Sequence, residues 1–204
     1  MNIGTRLVYG LGINDADYSV RLQEEVPMVE GKKRQRITWR CPYYSRWASM
    51  FMRCYSIAYQ DKYPTYRGCS VSDEWLLFSN FKKWMEQQDW EGKQLDKDLL
   101  VEGNKVYSPD TCVFVEERIN YFILTGIDGN YLQGVSKNPR RRCYYRSRCR
   151  NPFTSKEELL GVFDNELDAH LAWKAKKLEH VYTFIEKGMV TDDRIKDALI
   201  NRYS

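Results

Sequence analysis

The chain has 204 residues, a length that suits one large domain or two small ones. Hydrophobic residues make up 43% and charged residues 29%, which is typical of a folded, soluble protein. No stretch approaches the roughly 18 apolar residues of a membrane span, and the first residues lack the apolar core of a signal peptide. We therefore expect a cytoplasmic protein with no membrane partner.

Residues 1–40 are predicted to form an irregular N-terminal extension. Within it lies a short basic run made of Lys32, Lys33, Arg34 and Arg36. This run is either a solvated loop or a contact to phosphate groups.

Two amphipathic helices are predicted next. Apolar residues recur every three or four positions from Trp47 to Ile57, which predicts a helix over 44–59. Ser72 is placed to cap a second helix, because acidic residues follow it in the positive first turn. The apolar stripe of that helix is predicted to belong to the core; it consists of Trp75, Phe78, Phe81 and Met85.

The following segment is predicted to be a compact strand, turn, strand, helix unit. Strands are expected over 94–101 and 105–107, joined by a turn at Gly103 and Asn104. Ser108, Pro109 and Asp110 then carry the signals of a helix start. A further short helix is predicted over 116–124.

The C-terminal part is predicted to be a β region followed by helices. Candidate strands are 141–149 and 157–163, and Asn165 is placed to cap a long helix. The predicted buried stripe of that helix is Leu167, Leu171, Leu178, Val181 and Ile185. A final helix is predicted over 191–202, and the composition shift near 125–135 is the best domain boundary.

The six cysteines stand at positions 41, 54, 69, 112, 143 and 149. No pair of them has the Cys-x-x-Cys spacing of a zinc knuckle or redox site. We expect most of them to be small buried hydrophobic residues, and we do not expect structural zinc. A zinc site assembled from Cys41, Cys54, Cys69 and Cys112 is the alternative.

Charge is distributed unevenly, although the formal net charge is only +4. The window from 136 to 150 contains no acidic residue and seven basic ones: Lys137, Arg140, Arg141, Arg142, Arg146, Arg148 and Arg150. Residues two apart on a strand share a face, so Arg146, Arg148 and Arg150 should point the same way. Arg142 and Tyr144 extend that face if the strand is regular. Such a row can follow phosphates or reach guanine edges, so we expect it to bind double-stranded DNA. A solvated, charged sheet face is the alternative.

Several blocks of the C-terminal half resemble the Apetala-type, ethylene-response-factor-like DNA-binding domain. They are GVSK at 134–137, CYYRSRC at 143–149, LGVFD at 160–164 and AHLAW at 169–173. The resemblance implies three strands packed on one helix, with the sheet entering the major groove. The arginine-rich strands fall where the DNA contacts of that family fall.

The upstream half resembles phage HNH endonucleases of the homing type. The resemblance rests on WASMFMRC at 47–54, on WLLFSNFKKW at 75–84, and on LDKD at 95–98 followed by GN at 103–104 and YSPDTC at 107–112. The third block looks like the ββα-metal unit, which in that family binds one divalent metal and cuts phosphodiesters. The two resemblances together cover nearly the whole chain.

The resemblance implies roles for five residues of the third block. Asp96 is the metal carboxylate, and Asp98 is a second metal ligand or a base. Lys97 stands at the usual histidine position, Thr111 at the helical Asn or His position, and Asn104 in the connecting loop where the central Asn falls. The implied cofactor is a divalent metal, Mg²⁺ or Mn²⁺.

The sequence departs from that family at the catalytic histidine. The only histidines are His170 and His180, which lie outside the motif and are expected to be surface or packing residues. Lys97 is cationic at neutral pH unless desolvated, so it is a poor base and a better phosphate clamp. A hairpin capped by salt bridges with lysines is the alternative for Asp96 and Asp98.

The resemblances together imply an α+β fold with a ββα-metal (HNH, His-Me finger) unit and flanking helices, followed by a three-stranded antiparallel sheet packed on one long helix. The expected domains are the 1–40 extension, a nuclease domain at 41–125, a DNA-binding domain at 126–190 and a C-terminal helix at 191–204.

The first hypothesis for the function is a metal-dependent endonuclease that nicks or cuts double-stranded DNA, in the cytoplasm of an infected bacterial host if the chain is of phage origin. The second is a decayed nuclease scaffold that binds DNA or regulates, and the third is a protein whose basic strands bind another acidic partner. The oligomeric state is left open.

Overall fold

The computed structural model describes residues 7–29, 32–123, 130–138 and 144–204. The chain has a mixed α+β fold, as predicted. It forms two compact units. Unit 1 comprises Met1–Glu91 and Glu102–Phe114, and unit 2 comprises Gly92–Val101 and Val115–Ser204. Within the described part of the chain, no helix combines the length and the apolar character needed to cross a bilayer.

Unit 1 contains a β-hairpin where an irregular extension was predicted. Strand β1 (Arg21–Val29) pairs antiparallel with β2 (Lys32–Arg40). Glu24 lies opposite Arg36 in the register, and the two side chains form an ion pair. Cross-strand pairs of opposite charge favour pairing, so the prediction of irregular structure is wrong at these residues.

The predicted helix over 44–59 is two helices in the structure. Helix α1 (Pro42–Tyr55) ends before Ser56, and α2 (Ile57–Lys62) begins after it. The Ser56 side chain accepts a hydrogen bond from the Tyr59 backbone N–H, which caps α2 and separates it from α1.

The second predicted helix begins later than its expected cap. Ser72 precedes a 3-10 turn over Asp73–Leu76 and makes no side-chain cap, and α3 spans Phe78–Met85. The aromatic core of unit 1 is confirmed, since Trp47 and Trp75 are fully buried. The Trp47 indole N–H donates to the Trp75 carbonyl at 2.7 Å.

The segment expected to form the ββα unit contains short strands, and a ββα-metal unit is not confirmed. Strand β3 (Ser70–Val71) pairs in parallel with β5 (Val106–Tyr107), whereas β4 (Gln94–Asp96) pairs with β6 (Val113–Val115). A turn at 109–111 replaces the helix expected after β5.

Side-chain hydrogen bonds explain that turn. The Thr111 hydroxyl donates to the Val106 carbonyl at 3.0 Å and also bonds the Ser108 hydroxyl at 2.8 Å. Such local bonds compete with helix formation. All three residues of β6 are buried apolar residues, which favours a strand directly after the turn.

Helix α4 (Glu117–Ile123) confirms the prediction over 116–124, but it belongs to unit 2 rather than to a domain ending at 125. The Phe122 ring packs edge-to-face on Phe184 and Tyr203, with ring centroids 5.2 and 5.6 Å apart. This aromatic packing attaches α4 to the C-terminal helices.

Unit 2 contains the predicted antiparallel sheet on a long helix. Its strands are β7 (Val135–Lys137), β8 (Tyr145–Arg150) and β9 (Glu157–Phe163), in that order across the sheet. They pack on α5 (Glu166–Glu186), which is followed by α6 (Asp193–Tyr203). The Asn165 side chain caps α5 by accepting from the Asp168 backbone N–H at 2.8 Å, as predicted.

The buried face of α5 differs from the predicted stripe. Leu167 and Leu171 are 57% and 51% exposed, so their predicted burial is wrong. The buried residues are Ala169, Trp173, Lys177, His180, Val181 and Phe184. The small Ala169 side chain and the flat Trp173 ring let the strands lie close to the helix, and this favours their face over the leucine face.

Candidate nucleic-acid interface

Strand β8 alternates between buried and exposed residues. Ser147 and Cys149 are almost fully buried, whereas Arg148 and Arg150 are exposed and Arg146 is half-buried. The alternation confirms that the three arginines share one side of the strand. Arg140, Arg141 and Arg142 lie outside the described residues. Tyr144, half-buried, directly precedes β8 and its carbonyl accepts from the Asn138 N–H at 2.9 Å.

The neighbouring strand β9 completes this side of the sheet. Arg146 lies opposite Val162, Arg148 opposite Leu159, and Arg150 opposite Glu157. Directly paired residues of an antiparallel sheet share a face. We call these six residues the arginine face: Arg146, Arg148, Arg150, Glu157, Leu159 and Val162.

A β-bulge explains why Leu159 and Val162 both lie on the arginine face. Strict alternation would put Leu159 and Val162, three positions apart, on opposite sides of β9. The register shifts between Ser147 and Arg148, so that Leu160 is the extra residue on β9. Leu159 and Val162 are consequently both exposed, at 60% and 47%, whereas Leu160 is half-buried.

The arginine face carries three guanidinium groups and one carboxylate. Arg148 Nη1 lies 2.7 Å from Glu157 Oε2, and both side chains are partly exposed. Exposed ion pairs contribute at most about 1 kcal/mol, so Arg148 can exchange this partner for another anion. The Arg146 Nε–H is buried and has no hydrogen-bond partner among the described residues. Arg150 lies 5.9 Å from the Tyr121 ring centroid.

Lys137 does not lie on the arginine face. It pairs directly with Tyr145, and its ammonium lies 3.9 Å from the centroid of the Tyr145 ring. Because Ser136 is the β7 residue opposite Arg146, alternation puts Lys137 on the other side of the sheet.

The basic run of the N-terminal region belongs to unit 1, not to the unit that carries the arginine face. Lys32, Lys33 and Arg34 are residues of β2 whose side chains lie outside the described part. Arg36 is exposed and forms its ion pair with Glu24.

The predicted metal carboxylates form a turn in unit 2. Asp96 accepts hydrogen bonds at one oxygen from the backbone N–H groups of Asp98 and Leu99, at 2.9 and 2.7 Å. The buried Lys97 ammonium lies 3.0 Å from an Asp98 carboxylate oxygen. Burial and the neighbouring Asp98 raise the pKa of Asp96. The Asp96 carboxylate therefore has backbone N–H groups as hydrogen-bond donors, and the Asp98 carboxylate has the Lys97 ammonium as its ion-pair partner.

The other two predicted site residues belong to unit 1. Asn104 Nδ2 donates to the Val106 carbonyl at 2.7 Å, and Asn104 Oδ1 accepts from the Val106 N–H at 3.1 Å. Thr111 closes the turn after β5. In the described ranges, no group of three or more His, Cys, Asp or Glu side chains is arranged to hold a metal. All five residues make local hydrogen bonds or ion pairs within turns.

Most of the cysteine and histidine side chains are packed against other residues of the protein. Cys41, Cys54, Cys69, Cys112 and Cys149 are buried free thiols, as predicted, and Cys143 lies outside the described residues. His180 is buried with its ring edge-on to Phe122, and burial lowers its pKa. His170 Nδ1 lies 2.9 Å from the Gln133 carbonyl oxygen.

Two features of unit 2 were missed in the sequence. The exposed pair Leu159 and Val162 was predicted only as part of a strand, because a bulge leaves no clear signal in the sequence. Lys177 lies on the buried face of α5, which the predicted apolar stripe did not include, although it follows Trp173 by four residues, at helical spacing.

Comparison of the chain with protein-family models, with curated proteins and with solved structures gives no significant match.

Proposed function

We propose that this protein binds double-stranded DNA through the arginine face. The observation that carries the proposal is the alternation of β8, which buries Ser147 and Cys149 and leaves Arg146, Arg148 and Arg150 on one side. Successive residues on one side of a strand are two rises, or about 6.8 Å, apart. A row of arginines at that spacing can follow the phosphates of one DNA backbone.

The sheet is suited to the major groove. That groove is about 12 Å wide and admits a β-ribbon, and several DNA-binding proteins dock strands in it. Arginine binds guanine O6 and N7 in a bidentate way, and it also binds phosphate.

The binding test uses single substitutions of the arginine face. Arg146→Ala and Arg150→Ala should each weaken binding to a mixed-sequence DNA duplex, with affinity measured between about 50 and 200 mM NaCl. Each lost phosphate contact should reduce the slope of log affinity against log salt by roughly 0.9.

Arg194→Ala serves as the matched control, because it removes the same charge from helix α6 of unit 2. It should leave the slope unchanged. Unchanged affinity and slope in both face variants would contradict the proposal, and binding of an acidic protein in place of any duplex would favour the third hypothesis.

Metal-dependent cleavage of the bound DNA is a second hypothesis. Burial and the adjacent Asp98 carboxylate raise the pKa of Asp96, so ionisation of Asp96 is unfavourable and a divalent cation beside it would stabilise its charged form. The alternative is a scaffold that binds DNA without cutting it. This alternative is supported by the two backbone N–H groups that already donate hydrogen bonds to the Asp96 carboxylate.

Two measurements on the same samples separate these alternatives. The first is nicking of supercoiled plasmid with Mg²⁺ or Mn²⁺, and the second is the shift of Tm when either metal is added, since a ligand that binds only the folded state raises Tm. A nuclease should show both, and Asp96→Asn should abolish both. Intact plasmid and an unchanged Tm with both metals would rule the cleavage hypothesis out and leave DNA binding standing.

A further inference from the structure

Two aliphatic side chains stand exposed between the arginines of the sheet. Leu159 is 60% exposed and lies opposite Arg148, and Val162 is 47% exposed and lies opposite Arg146. The bulge at Leu160 brings both to this side of β9. Exposed aliphatic side chains on a charged sheet face favour contact with a partner that offers both negative charge and apolar groups.

We infer that Leu159 and Val162 contact the 5-methyl groups of pyrimidines in the major groove of the bound DNA. The inference rests on the proposed function and adds a base preference to it. Among the base edges of the major groove, only thymine offers a methyl group, and apolar side chains read it by contact. A cytosine methylated at the same carbon offers the same chemistry.

The register of the sheet makes this contact compatible with the arginine contacts. Each aliphatic residue is paired across the strands with an arginine, so their Cβ atoms lie about 4.5–5.5 Å apart. An arginine that binds a phosphate or a guanine therefore brings its aliphatic partner beside a neighbouring base. The expected target has thymines next to the positions that Arg146 and Arg148 contact.

The polar neighbours on this face do not compete for the methyl groups. Glu157 lies opposite Arg150, at the far end of the face from Val162, and is paired with Arg148. Ser136 is the β7 residue opposite Arg146 and carries only a small hydroxyl group. Within the described part of the sheet, the apolar surface of Leu159 and Val162 is thus free to meet an apolar group.

The first experiment uses the unmodified protein and a duplex selected from a random-sequence pool. Replacing the thymines of that duplex with deoxyuridine removes only the methyl groups. Each lost methyl contact should weaken binding about fourfold, the effect expected for one buried carbon. The second source of the methyl group is tested in duplexes in which a cytosine replaces a contacted thymine. Replacing that cytosine with 5-methylcytosine should strengthen binding.

The second experiment combines DNA and protein changes. Leu159→Ala and Val162→Ala should bind the thymine duplex more weakly, by about fourfold each, and should lose most of their sensitivity to uracil. The control is Leu171→Ala, which truncates an aliphatic residue of similar exposure on α5 and should keep the full sensitivity.

The outcomes separate this inference from the function on which it rests. Equal affinity of the unmodified protein for thymine and uracil duplexes would overturn the methyl contact while leaving DNA binding intact. Failure to bind any duplex at low salt would overturn the proposed function itself. Dissociation of an oligomer by Leu159→Ala, with no effect of uracil, would overturn the inference by assigning this apolar pair to a second copy of the chain.

Discussion

The two sides of the three-stranded sheet in unit 2 differ sharply, although the same strand supplies both. The side toward α5 is closely packed: Ser147 and Cys149 of β8 and Trp173 of the helix are nearly inaccessible. The opposite side presents arginines and aliphatic residues to solvent. One side therefore determines whether the unit folds, and the other is available for a ligand.

This difference separates changes of stability from changes of binding. Substitutions toward α5 should lower the free energy of unfolding and alter DNA affinity only through loss of the fold. Substitutions on the arginine face should alter affinity with little effect on stability, because exposed positions contribute little to it.

The largest effect is expected from Gly134→Ala on the packed side. Gly134 has a φ of +78°, and a Cβ there would lie 2.1 Å from Trp173 Cγ. A left-handed backbone costs alanine roughly 1–2 kcal/mol, and overpacking costs typically 1–3 kcal/mol more. We expect the free energy of unfolding in urea to fall by about 3 kcal/mol or more, with loss of DNA binding as unit 2 unfolds.

Gly188→Ala is the control for the backbone alone. Gly188 also has a positive φ, +67°, but a Cβ there would meet no atom within 4 Å. It should cost only the roughly 1–2 kcal/mol of the left-handed conformation. Equal losses in the two variants would show that close packing of β7 on Trp173 does not stabilise the sheet.

The next largest effect is expected on the pH dependence of stability, and it comes from Lys177 on the buried face of α5. Its ammonium donates to the Phe122 carbonyl at 2.5 Å and lies 3.6 Å from the Phe122 ring centroid. Burial lowers the pKa of Lys177 from 10.5 to about 8. Between these values the unfolded chain holds a proton that the folded chain has lost, so this group makes stability rise with pH, by up to about 1.4 kcal/mol per pH unit. Below pH 8 the cost of burying the charge is fully present.

Lys177→Met should remove this rise in stability between pH 8 and 10.5, as measured by urea unfolding across that range. Lys187→Met, at the exposed end of the same helix, should retain the slope of the unmodified protein. If Lys177→Met and the unmodified protein show the same slope, Lys177 does not change its protonation in this range when the chain unfolds.

Local signals allowed much of unit 2 to be predicted from the sequence. The bounds of β9, the Asn165 cap and the shared side of the β8 arginines depend on alternation or on a capping side chain, and each acts over a few residues. The buried side of α5 was predicted less well, because apolar periodicity fitted two faces. The structure buries Lys177 and leaves Leu167 exposed, which hydrophobicity alone does not indicate.

Pairings between distant residues account for the failures in the candidate nuclease region. Gly103 and Asn104 indicated a hairpin, yet β5 pairs in parallel with β3, more than thirty positions earlier, through Ser70 and Val106. A turn signal says that the chain reverses but not which strand it then joins. The hydrogen bonds of the Thr111 hydroxyl group compete with the helix expected after β5, and a turn forms there instead.

The smallest effect is expected from Glu157→Gln on the arginine face. The exposed pair of Glu157 with Arg148 contributes at most about 1 kcal/mol to stability, so the free energy of unfolding should change by less than that. Removing the carboxylate frees Arg148 and deletes a charge that repels phosphate. DNA affinity should rise up to about fivefold, since charges at about 4 Å in water interact by about 1 kcal/mol.

Glu179→Gln removes a comparable exposed carboxylate, paired with Lys176 on α5, and should leave affinity unchanged. A fall in affinity for Glu157→Gln would reverse the expected role of this side chain. It would mean that Glu157 accepts a hydrogen bond from a cytosine amino group, as carboxylates do in the major groove. The arginine face would then read cytosine beside the methyl groups, and the salt dependence of binding would stay the same in the variant because no phosphate contact is gained.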